Sequence, residues 1–364
     1  MLQLVVIYFQ TRSRILSSKS TQNLPSVSIL KPLKGPDDQL EENLHSFFQL
    51  NYPEYEIIMG FNDPEDPAID IAEKLVMMYP NHRSRIVINR QQIGLNPKIN
   101  NLANMYPSIS YNHILISDSN IRVSKDYLLD LVEHLQDENV GLVTSPIRGM
   151  GAKGFGALLE NLHLNSFIVA SVFVAHKIFK IPISIGKSML LKKKTLESIG
   201  GFKDYKNFLA EDYIMSEAIQ KLGLKVTLSS HFVNNINQHW DVAKFLNRHS
   251  RWAKMRKTSN LLYYLSEVLS NPISIAVLFA LVFPSAFSQM TLCITLFIKV
   301  LIDGLIIHRV HSDLRFYHLG LIPLKDLLIG LTWLTPFFSR TVKWRGNLLK
   351  ITKNTKLLPL TQGG

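Results

Sequence analysis

Apolar residues follow two different rhythms along this chain. Up to about residue 260 they come in short runs: VSILK (27–31), YEIIMGF (55–61), RIVI (85–88) and HILISD (113–118). Each is short and apolar or alternating, as a buried strand is. Between them, positions 37–50, 68–79 and 97–105 carry apolar residues at helical spacing. Strands alternating with helices predict a mostly parallel α/β sheet covered on both faces. In such sheets ligands bind beyond the carboxyl ends of the strands. No internal repeat interrupts the pattern.

Beyond residue 260 the runs lengthen. Residues 273–307 contain only Lys299 and Asp303 as charges, enough for two close-packed spans at roughly 20 residues per crossing. The break is expected near Ser285 to Gln289. A further stretch, 316–338, carries Lys325 and Asp326 in its middle and basic residues on both flanks, which suggests a re-entrant or interfacial segment. Residues 154–179 are apolar over too short a middle to cross. They read either as a core helix or as an amphipathic wall on the bilayer. At the start, LQLVVIYF is followed at once by Arg12 and Arg14 and lacks the features of a signal peptide, so it reads as the stub of an anchor or an interfacial helix. The expected organisation is an apolar stub and linker over 1–23, an α/β domain over 24–260 and a membrane region over 261–364. Residues 327–364 hold no acid but six Lys or Arg, which puts the tail on the cytosolic side.

The 364 residues carry 40 Lys and Arg against 28 Asp and Glu, a formal net charge of +12. That excess suits anionic lipid or a phosphorylated ligand. No folded nucleic-acid motif accompanies it, so nucleic acid is not expected as a partner, and nothing points to an obligate protein partner. A single cysteine, Cys293, excludes a disulfide framework and a cysteine-based zinc site within the chain.

Acids fall at three places where chemistry is expected. Asp66 lies in a Pro-bounded turn after the second run. Asp118, in SDSN, ends the fourth run. Asp118 and Asn120 are two apart, so their oxygens can share a hard cation that also bridges phosphate oxygens. Glu211 and Asp212 open the amphipathic stretch EDYIMSEAI, where they are either first-turn acids that complement a helix dipole or a catalytic pair. Farther on, five Lys or Arg fall in the ten residues from Arg248. Some suit a juxtamembrane collar for lipid headgroups, Lys254 and Lys257 among them. Arg248, Arg251 and Trp252 suit a more particular task, because arginine forks match phosphate oxygens and an indole offers an apolar plate.

The succession Asp66, Asp118, Asp212 and Arg248-x-x-Arg251-Trp252 resembles the D, D, D, (Q/R)xxRW signature of membrane-bound inverting glycosyltransferases with a GT-A fold. The blocks VSILKPLKG, NDPEDPAIDIA, IGLNPKINNL, SDSNIRV, GGF and LAEDY resemble, more closely, the ceramide glucosyltransferases of family 21. The likeness runs from about residue 24 to 257 and continues at KWRG (343–346). It implies a GT-A, Rossmann-like catalytic domain, facing the cytosol from a bacterial inner membrane or a eukaryotic Golgi membrane, with C-terminal transmembrane or interfacial helices. The implied reaction moves glucose from UDP-glucose to ceramide with inversion. Rival acceptors are a hopanoid or diacylglycerol; a processive polysaccharide synthase and a non-catalytic membrane-surface protein are further alternatives.

The resemblance also implies roles. Asp66 sits by the uracil and ribose, and Lys31 and Pro32 line the nucleotide entrance. Asp118, with Asn120, holds Mg2+ or Mn2+ against the diphosphate, although Asn120 replaces the second acid of a full D-x-D. Lys98 is either a phosphate-facing charge or a solvated helix-start lysine. Arg248, Arg251 and Trp252 close the diphosphate and acceptor sides. Asp212 is the base for the acceptor hydroxyl, with Glu211 beside it.

Overall fold

The computed structural model describes residues 24–344 and 346–360. The N-terminal stub with Arg12 and Arg14, and Arg345 of the KWRG block, lie outside the described residues. The chain divides into two compact units, one of residues 24–148 and 172–237, the other of residues 149–171 and 238–360.

The first unit is built on seven strands: β1 (Val27–Pro32), β2 (Tyr55–Phe61), β3 (Ser84–Ile88), β4 (His113–Ser117), β5 (Val140–Thr144), β6 (Ser188–Lys192) and β7 (Lys225–Leu228). Their order across the sheet is β3-β2-β1-β4-β6-β5-β7. All neighbours are parallel except β6, which runs against both β4 and β5. The first four strands and the helices Leu40–Phe48, Ala68–Met78 and Pro97–Met105 occupy the positions that the apolar rhythm predicts. All seven residues of β2 are buried, because helices cover both faces and leave no side for polar alternation. Leu30, Ile58, Ile114 and Ile116 pack on Leu102 and Met105 of one helix and on Met215 of another.

This order fixes where a ligand can bind. From β1 the chain winds outward through β2 to β3, then returns to place β4 on the other side of β1. The crevice at the carboxyl ends of β1 and β4 is therefore the topological switch point of the sheet. Lys31 and Pro32 stand at the end of β1, and Asp118 follows β4 directly. Beyond Asp118 the chain pairs Ile121–Arg122 antiparallel with Val233–Ile236, which brings Asn235 and Asn237 to Asn120.

Over residues 238–360 the second unit is helical apart from three short strands between Thr341 and Pro359 among the described residues. Helices Pro272–Val282 and Ala286–Arg309 form the expected apolar pair, with the break at residues 283–285, where the Ser285 hydroxyl accepts from the Ser288 N–H. The arms are unequal. The first has 11 residues, about 16 Å at 1.5 Å per residue, and reaches spanning length only together with Leu261–Ser270 across a 73° bend. Residues 316–338 form one helical run of 23 residues, long and apolar enough to cross a membrane. Its central charges are neutralised inside the unit: the Lys325 ammonium lies 2.6 Å from Asp326 and 3.3 Å from Asp303. The helical run Phe155–Lys177, expected to be too short, also has 23 residues and suffices by length and composition, and its apolar window is 67% buried within the protein.

The basic collar differs from expectation as well. Lys254 donates to the Thr341 carbonyl at 2.7 Å, and Lys257 to the Pro336 carbonyl at 2.8 Å while lying over the Phe337 ring. Both ammoniums are thus turned onto the chain's own C-terminal segment rather than toward lipid headgroups. Exposed carbonyls near a helix C-terminus attract cations by the same charge logic as headgroups, which is why composition alone could not separate the two uses.

Candidate active site

The site in the first unit is built around the switch-point crevice. Lys31 is fully buried, and its ammonium donates to the Ser117 hydroxyl at 3.2 Å and to the backbone carbonyl of Asp118 at 2.7 Å. Burial lowers its pKa well below the ordinary lysine value, against the opposing pull of Asp118. Lys31 therefore lies beneath the Asp118 turn and fixes its backbone.

Asp118 turns its carboxylate toward two lysines. Lys98 approaches one oxygen at 2.9 Å, and Lys187 approaches the other at 3.4 Å. The Lys187 ammonium also donates to the Asn120 side-chain oxygen at 2.6 Å. Asn120 is oriented for this by its own amide nitrogen, which donates to Asn237 at 2.8 Å and Asn235 at 3.2 Å. One cation thus sits on oxygens from both Asp118 and Asn120.

Glu211 and Asp212 open the helix Glu211–Lys221, yet neither side chain caps its N-terminus as an N-cap residue does. Glu211 is buried, 3.4 Å from the Lys98 ammonium, and accepts from the Asn96 amide at 3.1 Å. Asp212 accepts from the Gly186 N–H at 2.7 Å through one oxygen and from the Tyr213 N–H at 2.8 Å through the other. The Ser184 hydroxyl donates to its backbone carbonyl at 2.6 Å. Gly186 lets this close approach form: a Cβ at that position would lie 2.8 Å from the Asp212 carboxylate and 3.1 Å from the Lys98 ammonium, so those groups would have to shift. The Gly186 carbonyl in turn accepts from Lys98 at 2.7 Å.

Desolvation raises the pKa of Asp212, against the nearby Lys98 charge and the two N–H donors. It raises Glu211 likewise, again opposed by Lys98, with Asp212 adding to the rise. For Lys98, burial favours the neutral form, but Asp118 and Glu211 outweigh it and hold the ammonium above its ordinary value. Lys98 is therefore not a solvated lysine: its ammonium is enclosed by carboxylates and the Gly186 carbonyl.

Asp66 lies at the rim of the crevice. Both carboxylate oxygens accept from the Gly35 N–H, at 2.8 and 3.0 Å, and one also accepts from the Ala68 N–H at 2.9 Å. It therefore closes the PLKG loop after β1 onto the start of the helix Ala68–Met78.

Arg248, Arg251 and Trp252 belong to the second unit, on the helix Val242–Ser259. Arg248 is buried, 2.9 Å from Glu160, with its guanidinium over the rings of Trp252 and Trp240. His249 shares Glu160 at 2.7 Å. Arg251 and Trp252 are half-buried on the same helix. Within their units, then, the structure joins Lys31, Lys98, Asp118, Asn120, Glu211 and Asp212 into one cluster and Arg248 and Trp252 into another. Asn96, Ser184, Gly186 and Lys187 belong to the first cluster but carry no motif that sequence reasoning could single out, beyond the Asn-Pro helix start at Asn96.

Comparison with known proteins assigns the chain to a family. The family model described as Glycosyl transferase family 21 matches residues 1–357. The chain belongs to glycosyltransferase family 21. A relative named ceramide glucosyltransferase 3 from Caenorhabditis elegans is 29% identical over 94% of the chain and 76% of that protein. Ceramide glucosyltransferase 1 from the same organism is 32% identical over 64% of the chain, which there spans half the length of the relative. A ceramide glucosyltransferase from Komagataella phaffii is 40% identical over 30% of the chain and 22% of its own length. Among solved structures, a mannosyltransferase from Pyrobaculum calidifontis, in complex with GDP-Man and Mn2+, aligns with a TM-score of 0.51 at 12% identity, covering 93% of this chain and 95% of that one. The fold of this family-21 hexosyltransferase is GT-A.

Proposed function

We propose that this family-21 enzyme transfers glucose from UDP-glucose to the primary hydroxyl of ceramide, with inversion at the anomeric carbon. The names of its relatives supply the substrates. The observation that carries the chemistry is the Asp212 carboxylate, which is held beside Lys98 by the Gly186 N–H from outside its helix as well as by the Tyr213 N–H within it. Asp212 takes the proton from the ceramide hydroxyl as that oxygen attacks the anomeric carbon. The bond from that carbon to the diphosphate oxygen breaks, and UDP leaves with the electron pair. A positioned base of this kind contributes on the order of 10²–10⁴ in rate.

The remaining side chains serve this step. Pro32 and Asp66 border the uridine, while Lys31 fixes the Asp118 turn from below. Lys98 keeps Asp118, Glu211 and Asp212 together as anions, and Glu211 steadies Lys98. Arg251 supplies the guanidinium for the diphosphate and Trp252 the plate for the acceptor. Arg248, paired with Glu160, keeps that helix turn in place.

The donor set at Asp118 fits a divalent metal, Mg2+ or Mn2+. Both oxygens are hard ligands, and the Lys187 ammonium, as a stand-in cation, marks the point on which they converge. Asp118 and Asn120 would hold the metal, which when bound stabilises charge on the departing diphosphate as a Lewis acid. Lys187, which now sits on both oxygens, would have to turn away for these residues to hold the metal.

The hairpin of residues 261–309 enters the membrane, residues 316–338 lie at its interface, and the catalytic unit faces the cytosol. Hydrogen bonds within the second unit support a tail on that same side: Lys254 of the helix Val242–Ser259 holds Thr341, and Asp313, after the hairpin, accepts from the Gly151 N–H at 2.6 Å.

Lipid mass spectrometry of a host lacking glucosylceramide tests the reaction. Wild-type chain should yield hexosylceramide, and Asp212→Asn should yield almost none while binding UDP-glucose normally. Hexose on a hopanoid or diacylglycerol with ceramide untouched would overturn the acceptor, and an active Asp212→Asn would overturn the base. Lys187→Ala should tighten Mn2+ binding several-fold in isothermal titration with UDP present, since no ammonium then competes; unchanged or weaker binding would remove the metal from Asp118 and Asn120. In a Cys293→Ser background, Lys353→Cys, at an exposed position of the tail, should react with an impermeant thiol reagent only after permeabilisation. Labelling in intact cells would refute the topology.

A further inference from the structure

The two ammonium groups that reach Asp118 are held differently. Lys98 lies 2.9 Å from Asp118 and 3.4 Å from Glu211, and it donates to the Gly186 carbonyl at 2.7 Å. Turning it away would leave Asp118, Glu211 and Asp212 without their common cation. Lys187 is farther from Asp118, at 3.4 Å, and donates to the Asn120 side-chain oxygen at 2.6 Å. Its charge covers the same two oxygens that fit a divalent metal.

The backbone on either side of Lys187 is fixed. The Gly186 N–H is bound to Asp212 at 2.7 Å, and Ser188, the first residue of β6, pairs its hydroxyl with that of Tyr127 at 2.6 Å. The Ser188 N–H also donates to the Ile185 carbonyl at 2.9 Å. Asn120 is equally fixed, through Asn237 and Asn235. A metal that takes these oxygens can therefore turn only the Lys187 stem, and the displaced ammonium stays beside the crevice. The side chain is 14% exposed, so water alone does not replace its partners. Another anion must.

A bare divalent ion brings no anion. It would add two positive charges beside Lys98 and Lys187, with Asp118 shared among all three cations. A diphosphate reverses the balance, because its oxygens can bridge to the metal and also accept from an ammonium. We infer that Lys187 is a donor-binding residue that couples metal to nucleotide. Its ammonium keeps a free divalent ion off Asp118 and Asn120, and passes to the diphosphate when metal and UDP-sugar bind together. This rests on the metal lying at Asp118 and Asn120. Each ligand then raises the affinity for the other by the same factor. Lys187 enters that factor twice, by opposing the metal alone and by holding the diphosphate beside it.

The test titrates the full chain, in detergent micelles, with Mn2+ and UDP, each alone and with the other saturating. Free Mn2+ is counted by its electron paramagnetic resonance signal, and UDP binding is followed by calorimetry. Without UDP, Lys187→Ala and Lys187→Met should bind Mn2+ about ten- to hundredfold more tightly than wild type, the scale of one charge-assisted hydrogen bond. With Mn2+ saturating, both should bind UDP several-fold more weakly. A damaged fold would weaken both ligands instead of moving them in opposite directions. Unchanged or weaker Mn2+ binding without UDP, or UDP binding that does not weaken with Mn2+ present, would overturn the role of Lys187. Asp118→Asn separates this inference from the metal assignment. If it abolishes Mn2+ binding while the Lys187 variants behave as wild type, the coupling alone is overturned. If it leaves Mn2+ binding intact, the metal does not lie at Asp118 and both fall.

Discussion

The ammonium of Lys98 is the contact on which the catalytic cluster depends. It draws on residues from four places in the sequence: Asp118 after β4, Gly186 before β6, and Glu211 and Asp212 at a helix start, with Lys98 itself one residue into a helix that Asn96 caps. Three carboxylates gathered in a partly dry crevice repel one another and favour protonation. A central cation makes their company tolerable, and a carboxylate so held can remain a base in a site that would otherwise keep it neutral. The sheet topology makes the gathering possible, because the switch point leaves an open crevice where β1 and β4 end.

Much of this was legible in the chain. The four N-terminal strands and the three helices between them follow from apolar rhythm, since strands covered on both faces read as short continuous apolar runs. Strands β5 to β7 did not stand out: VGLVT, SMLLK and KVTL are four or five residues long and lie among helical text of similar composition. The charges Lys325 and Asp326 were visible in the middle of their apolar stretch, but their partners, Asp303 and Lys299, lie on another helix. Sequence proximity cannot disclose such pairing.

The site shows the same division. Asp118 and Asp212 were visible as acids at element ends. Gly186 and Lys187 were not, because SIGK looks like any turn until folding carries it to Asp212 and Asn120. Arg248 was legible as a cation of the signature but not as the partner of Glu160, 88 residues earlier by number. In each case the residue type was readable and its partner was not, since partners in a switch-point crevice come from distant segments.

We propose that Asp212 acts as a base and that the Lys98 charge opposes the rise of its pKa on burial. This is tested most directly by the pH dependence of kcat/KM for glucosyl transfer in the parent and in Lys98→Met. A base works above its pKa, so activity should fall as pH drops through that value. Removing the cation withdraws the influence that opposes desolvation, so the acid limb of Lys98→Met should lie at higher pH than that of the parent. An acid limb that stays in place, or moves to lower pH, would contradict the role assigned to both residues.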